Sequence, residues 1–170
     1  MGQDKVKELF FENPSKQFYL RQIAKLTKVP KSTVARILNQ LLSDSIIVRE
    51  KSEPFDKYRA NTEDSLYKFH KKQFMLEKIY QSGLIDYIVE HAHPKTVILF
   101  GSCAKGEYDE KSDIDIFIES SETGMNFDKF KLKHAINPYF AKNIMEISKE
   151  LRQNIINGSI LHGMLKIWQK

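Results

Sequence analysis

Residues 97–119 read VILFGSCAKGEYDEKSDIDIFIE, and the rest of the chain is organised around them. The apolar run Val97-Ile98-Leu99-Phe100 breaks at Gly101-Ser102, a polar segment follows, and Ser112-Asp113-Ile114-Asp115 opens a second apolar run. A short run of β-branched and aromatic residues closed by glycine reads as a buried strand that turns at Gly101. The segment CAKGE has room for a turn or two of helix, with Gly106 as its stop signal. Beyond it, Ile114, Ile116 and Ile118 alternate with Asp113, Asp115 and Phe117. On a strand, that spacing puts the isoleucines on one face and both carboxylates on the other.

Two carboxylates side by side repel one another unless a cation lies between them. Hard oxygen ligands suit Mg²⁺, which keeps several waters and completes its shell from substrate phosphates. A Gly-Ser turn at a helix start offers backbone N–H groups and a hydroxyl, the makings of an anion site. Phosphate seat and carboxylate pair together are equipment for metal-assisted transfer of a nucleotidyl group. A lone Gly-Ser is an ordinary turn, and Asp-x-Asp alone is often a solvated strand edge. The joint pattern, with ten residues between Ser102 and Asp113, is far more specific.

On Phe100-Gly101-Ser102, Gly106 and Ser112-Asp113-Ile114-Asp115, the chain resembles the nucleotidyltransferase superfamily that includes DNA polymerase β, in particular its small "minimal" members. The resemblance implies that Gly101, Ser102 and Ser112 bind a nucleoside triphosphate. It implies that Asp113 and Asp115 are the catalytic pair and hold Mg²⁺ or Mn²⁺. It also implies a third carboxylate on a later strand, here Ala135–Phe140, which reads AINPYF and has Asn137 as its only polar side chain. In minimal members a HEPN-type protein encoded nearby is a common partner, and that too is implied by resemblance alone.

Bulk composition fits one domain or two small ones: 170 residues, 41% hydrophobic and 29% charged. No apolar stretch is long enough to cross a bilayer, and the N-terminus MGQDKVKELFFEN is too polar for a secretory signal, so a cytoplasmic location is expected. The single cysteine, Cys103, excludes an internal disulfide; it reads as a reactive thiol or as a small side chain at a tight helix start. The five histidines show no ligand spacing. Charge is unevenly spread. Residues 1–80 hold sixteen Lys/Arg against ten Asp/Glu, while the remaining ninety hold eleven against twelve. A basic first half beside a near-neutral second half points to a polyanionic partner for the first.

In that first half, residues 4–12 have helical spacing stopped by Asn13-Pro14. Ile23, Ala24 and Leu26 mark a short helix, Lys28-Val29-Pro30 a turn, and Val34, Ile37, Leu38, Leu41 and Leu42 a longer helix. Ile46–Val48 and Tyr58–Ala60 can pair as a β-hairpin around Ser52–Asp56. This succession resembles the winged helix-turn-helix domains of prokaryotic transcription regulators, which implies double-stranded DNA as a partner. Lys31, Ser32, Thr33 and Arg36 lie opposite the apolar stripe of the second helix, with Asn39 and Gln40 further along, and would approach base edges. Arg49, Lys51, Lys57 and Arg59 decorate the hairpin and would contact phosphates. The plainer reading is that outward Lys and Arg are simply solvated.

Residues 63–80 read as a connecting helix with Leu66, Phe69, Phe74, Leu76 and Ile79 partly on one face and Lys71-Lys72 on its solvated side. Such a stripe is a core face or the seam of a homodimer. Further helices are predicted over 84–91, 126–134 and 142–156, and an extended piece over 159–163, with Leu165, Ile167 and Trp168 packing against the helices. The expected fold class is α+β, with a winged helix-turn-helix over 1–62, a helical connector over 63–92 and a mixed-sheet nucleotidyltransferase-like domain over 93–170. Two functions compete: an Mg-dependent nucleotidyltransferase fused to a DNA-binding domain, and a nucleotide-sensing transcriptional regulator with a catalytically impaired site.

Overall fold

A computed structural model describes residues 2–122 and 124–166. The chain mixes helix and sheet and forms two compact units, Met1–Phe74 and Met75–Lys170. The division falls inside the helix Ser65–Gln81, within the segment read as a connector.

The first unit contains α1 (Gly2–Phe11), β1 (Gln17–Tyr19), α2 (Leu20–Thr27), α3 (Lys31–Ser43), β2 (Ile47–Glu50), β3 (Lys57–Ala60) and the start of α4 (Ser65–Gln81). Val6 and Phe10 of α1, Ile23 of α2, and Val34, Ile37, Leu38 and Leu41 of α3 are buried together, each at helical spacing. Burying one such side chain is worth roughly 1.5–3 kcal/mol. The α2–α3 turn is tight because Lys28 takes a left-handed conformation (φ 56°) and Pro30 presets the entry to α3. β2 and β3 pair antiparallel with Ile47 opposite Ala60, so the hairpin closes over the helices through Ile46, Ile47 and Ala60. β1, which the spacing did not reveal, adds antiparallel to β3 and sends Phe18 inward, edge-on to Phe10 at 5.7 Å. Leu26 is 59% exposed, so the buried stripe of α2 is Ile23 and Thr27 instead.

The stripe of α4 also differs from expectation. Tyr67, Lys71, Met75 and Ile79 are buried, in steps of four, while Leu66 and Phe69 are exposed. Lys71 is therefore an interior residue, only 1% exposed, with its ammonium 5.6 Å from the Tyr67 ring. A long aliphatic stem can fill an apolar row that a charge-based reading assigns to solvent.

The second unit contains the end of α4, α5 (Leu84–Ala92), β4 (Thr96–Phe100), α6 (Gly101–Lys105), β5 (Ile114–Glu119), β6 (Ile136–Ala141), α7 (Lys149–Ile156) and β7 (Ser159–Gly163). The sheet order is β6-β5-β4-β7; β4 runs antiparallel to both neighbours, and β5 runs parallel to β6. Every residue of β4 is buried because both faces of the sheet are covered. On one face Val97, Leu99, Ile114, Ile116 and Ile118 meet Ile79, Leu84, Ile88 and Cys103. On the other, Ile98, Phe100 and Phe117 meet Ile144, Ile147 and Ile155.

Two predicted helices take other forms. Residues 126–134 are turns rather than a helix, forming part of the crossover that a parallel β5–β6 pair needs. Asn126 Oδ1 accepts the Asp128 N–H at 2.9 Å, a local bond that competes with helix. Phe127, Phe130 and Leu132 pack on the core, and Tyr87 of α5 pins the segment, its hydroxyl accepting the Asn126 N–H at 3.0 Å. Residues 142–156 split into a 3₁₀ turn (Ile144–Glu146) and α7, because Asn143 and Ser148 each cap a new start. Leu165 is half-buried against the second core; Ile167 and Trp168 lie outside the described residues.

Candidate functional site

β4 ends at Phe100, directly opposite Asp115 across the antiparallel β4–β5 pair. The chain then turns at Gly101 with φ +71°, a conformation that disfavours any side chain. A Cβ at Gly101 would fall on Asp115 Oδ2 and lie 3.3 Å from its Cγ. The glycine thus makes room for a carboxylate pressed against the turn. On its other side, Asp115 is in parallel register with Asn137 of β6, whose Nδ2 donates to Asp115 Oδ1 at 2.8 Å.

The burial pattern separates the acids from the isoleucines: Asp113 is exposed and Asp115 half-buried, while Ile114 and Ile116 are fully buried. Asp113 lies just ahead of β5, and three contacts fix the backbone there. The buried Cys103 thiol donates to the Asp113 carbonyl at 3.3 Å. His134 Nδ1 pairs with the Ser112 carbonyl at 2.8 Å, its ring edge-on to Tyr108. The Ile114 N–H donates to Ala135 O at 2.8 Å. Cys103 is thus a small buried side chain at the helix start, with a thiol that serves the neighbouring strand.

Ser102 is half-buried in the first turn of α6, and its carbonyl accepts the Glu107 N–H at 3.0 Å. Ser112 is placed differently. Its hydroxyl accepts the Asp109 N–H at 2.9 Å and donates to Asp109 Oδ1 at 3.1 Å, closing a turn. The N–H of Lys111, and then the Ser112 hydroxyl, hold the Asp109 carboxyl below the ordinary aspartate range.

Among the described residues no Lys, Arg or His lies within ion-pair distance of Asp113 or Asp115. No group of three or more His, Cys, Asp or Glu is placed to hold a metal ion there either. Two carboxylates with no counter-charge, one of them cradled by a glycine turn, fit a hard divalent cation that draws its remaining ligands from water and phosphate.

In the first unit, Lys31, Ser32 and Arg36 are exposed on α3 and Thr33 is half-buried, with Asn39 and Gln40 exposed beyond them. Arg49 and Lys51 are exposed on the hairpin; Arg49 lies 3.7 Å from Asp56. Lys57 stands over the Tyr19 ring at 5.7 Å. Arg59 is tied to Glu50, which Gln17 also holds at 2.8 Å. Both arginines are thus paired within the hairpin, Arg59 more closely and with Gln17 also holding its partner, Arg49 at the edge of ion-pair distance.

Residues 82–158 match the nucleotidyltransferase domain family. That segment contains Gly101, Ser102, Asp113, Asp115 and Asn137 and is a little under half of the chain. A protein of Methanocaldococcus jannaschii, provisionally named a protein adenylyltransferase, is 37% identical over 65 residues, 38% of this chain. The matched stretch spans 66% of that relative's own length, just short of two thirds. No solved structure matches. Both likenesses are to nucleotidyl-transferring chains, the class to which the Gly-Ser and Asp-x-Asp pattern pointed.

The nucleotidyltransferase-like unit also brings to this end of the sheet two residues that the sequence did not assign. Asn137 was visible only as the polar residue of a strand without an acid; its partnership with Asp115 depends on a register no local signal encodes. His134, placed in a helix by its neighbours' spacing, braces the entrance to β5.

Proposed function

We propose that the chain is a divalent-metal-dependent nucleotidyltransferase whose N-terminal unit is a winged helix that binds double-stranded DNA. The observation that carries the first half is the meeting of the Gly101 turn and the Asp115 carboxylate at one end of β4 and β5, with the exposed Asp113 two residues earlier, its backbone tied to α6 through Cys103. Nucleotidyltransferase domains generally use divalent ions and take nucleoside triphosphates. Asp113 and Asp115 would hold Mg²⁺ or Mn²⁺, which when bound neutralises charge on the phosphates and polarises the α-phosphorus.

The chain's own residues do the rest. Backbone N–H groups at Gly101 and Ser102, with the Ser102 hydroxyl, hold the outgoing pyrophosphate. Cys103 and His134 keep the Asp113 backbone aligned with it. Transfer forms a bond between an acceptor hydroxyl oxygen and the α-phosphorus, breaks the bond from that phosphorus to the pyrophosphate oxygen, and releases the hydroxyl proton to solvent. Positioning of this kind is worth several orders of magnitude in rate. The relative's name supports an adenylyl group as cargo and a protein as acceptor. A HEPN-type protein and a second copy of the chain remain partners suggested by the family resemblance and by the exposed Leu66 and Phe69 of α4.

For the N-terminal unit, support comes from the two-helix turn, the antiparallel hairpin and the exposed basic and polar residues at the start of α3. Lys31, Ser32, Thr33 and Arg36 would face the major groove, and Arg49, Lys51 and Lys57 the phosphates.

One observation favours a second reading, a nucleotide-sensing regulator that does not turn its ligand over. The β6 neighbour of Asp115 is an amide rather than an acid, so no base is supplied from that strand. ATP labelled at the α-phosphate, offered with Mg²⁺ to the chain and an acceptor panel including the chain itself, tests the proposal. Incorporation that falls at least about 10³-fold in Asp113→Ala/Asp115→Ala is the expected result. Binding without incorporation into any acceptor leaves the sensor; neither binding nor incorporation overturns both.

A further inference from the structure

Asp115 has its two carboxylate oxygens in different surroundings. Oδ1 accepts from Asn137 Nδ2 at 2.8 Å, while Oδ2 lies where a Cβ of residue 101 would stand. The orientation of the Asn137 amide follows from chemistry: an ionised carboxylate only accepts, so the NH₂ must face it. Asn137 itself is exposed, on an edge strand, with Pro138 and Ile136 as half-buried neighbours, so the sheet does not require its side chain for packing. The only described side-chain hydrogen bond it makes is the one to Asp115.

We propose that Asn137 is a positioning residue: it fixes the Asp115 carboxylate against the Gly101 turn in the orientation that receives a divalent cation. The inference rests on the reading of Asp113 and Asp115 as cation ligands and adds to it a dedicated outer partner. A carboxylate free to rotate must be ordered when the ion binds, whereas one already held between an amide and a backbone turn loses little. The amide does this without adding charge. An aspartate at the same register position would set a third negative charge beside Asp115 and call for further cation to offset it.

The test is Mn²⁺ binding by the full chain, read by electron paramagnetic resonance, with Mn²⁺ alone and with Mn²⁺ plus a non-hydrolysable ATP analogue. Asn137→Ala and the similarly sized Asn137→Leu are each compared with wild type, and melting is recorded for all three. Both variants are expected to weaken Mn²⁺ by about 10–100-fold, the usual effect of losing an outer-shell partner, with melting midpoints within about 3 °C of wild type. Wild-type affinity in both variants overturns the positioning role while leaving the acids as ligands. Loss of affinity that only accompanies a large fall in melting midpoint overturns it as well, since the role would then be structural. If wild type itself takes up no Mn²⁺ with the nucleotide analogue present, the underlying assignment of Asp113 and Asp115 fails, and this inference with it.

Discussion

Asp115 is met by an amide on one oxygen and by a glycine turn on the other, whereas Arg49 reaches from a hairpin with one exposed ion pair to hold it. These are the candidate business ends of the two units, and they are built on different principles. The C-terminal site depends on backbone geometry at the end of two buried strands, where a shift of an ångström alters every distance. If the N-terminal surface binds DNA as proposed, it would depend on the number and placement of exposed cations, where no single charge is decisive. The first arrangement should fail abruptly and the second by degrees.

Gly101→Ala is the substitution that presses hardest on this contrast. It places a methyl group on Asp115 Oδ2 and forces a non-glycine residue to φ +71°. The left-handed conformation alone costs about 1–2 kcal/mol, and the clash adds to it. A fall in the melting midpoint of roughly 10 °C, with loss of nucleotide and Mn²⁺ binding, is expected from calorimetry and titration. A variant that melts and binds like wild type would mean that the turn can relax away from Asp115, and the notion of an abrupt site would go with it.

What the sequence made legible follows the same divide between local and distant information. Gly101-Ser102 and the alternation of Ile114, Ile116 and Ile118 with Asp115 and Phe117 are signals contained within single elements, and the elements formed where those signals lay, Asp113 falling one residue ahead of its strand. The Asp115–Asn137 pairing is a matter of which strands become neighbours across a sixteen-residue crossover, which no short pattern specifies. The helix expected over 126–134 failed for a related reason: Phe127, Phe130 and Leu132 are drawn to Tyr87 and the sheet, and Asn126 offers its backbone a competing bond. In the longer helix the capping residues Asn143 and Ser148 were present to be read, and the apolar period of 142–156 masked them. Lys71 shows the limit of judging burial by residue type. Its row, Tyr67-Lys71-Met75-Ile79, is a faultless helical stripe once the lysine stem is counted as apolar.

The N-terminal surface gives the graded counterpart. In Arg36→Ala/Arg49→Ala, affinity for double-stranded DNA should fall about tenfold at moderate salt, and the slope of log affinity against log salt should drop by about one for each phosphate no longer neutralised. Adding Arg59→Ala should change binding little, because that guanidinium already serves Glu50 within the hairpin. Gel-shift titrations over a salt series separate these cases. Unchanged affinity in the triple variant would remove DNA from the account of the first unit. An abrupt loss from Arg36→Ala alone would instead show one base-reading side chain dominating, and the contrast between the units would narrow.

The smallest effect is expected at the turn between α6 and β5. There Asp109 is exposed, yet its carboxyl is held below the ordinary aspartate range, first by the Lys111 N–H and then by the Ser112 hydroxyl. A carboxyl depressed in the folded state contributes stability that is present above its unfolded pKa and fades as pH falls through the folded value. Ser112→Ala removes the second donor and keeps the first, so the Asp109 pKa should rise only part of the way toward the ordinary range, as read by NMR titration of the side-chain carbonyl. Because the hydroxyl is engaged in this turn, the same variant should leave nucleotide affinity within about twofold of wild type, a difference of about 0.4 kcal/mol or less. A much larger loss would make Ser112 a nucleotide ligand, as the family resemblance implies, and would mean that the Asp109 turn opens when the triphosphate arrives. The C-terminal site would then adapt to its ligand at its rim while staying fixed at Gly101 and Asp115.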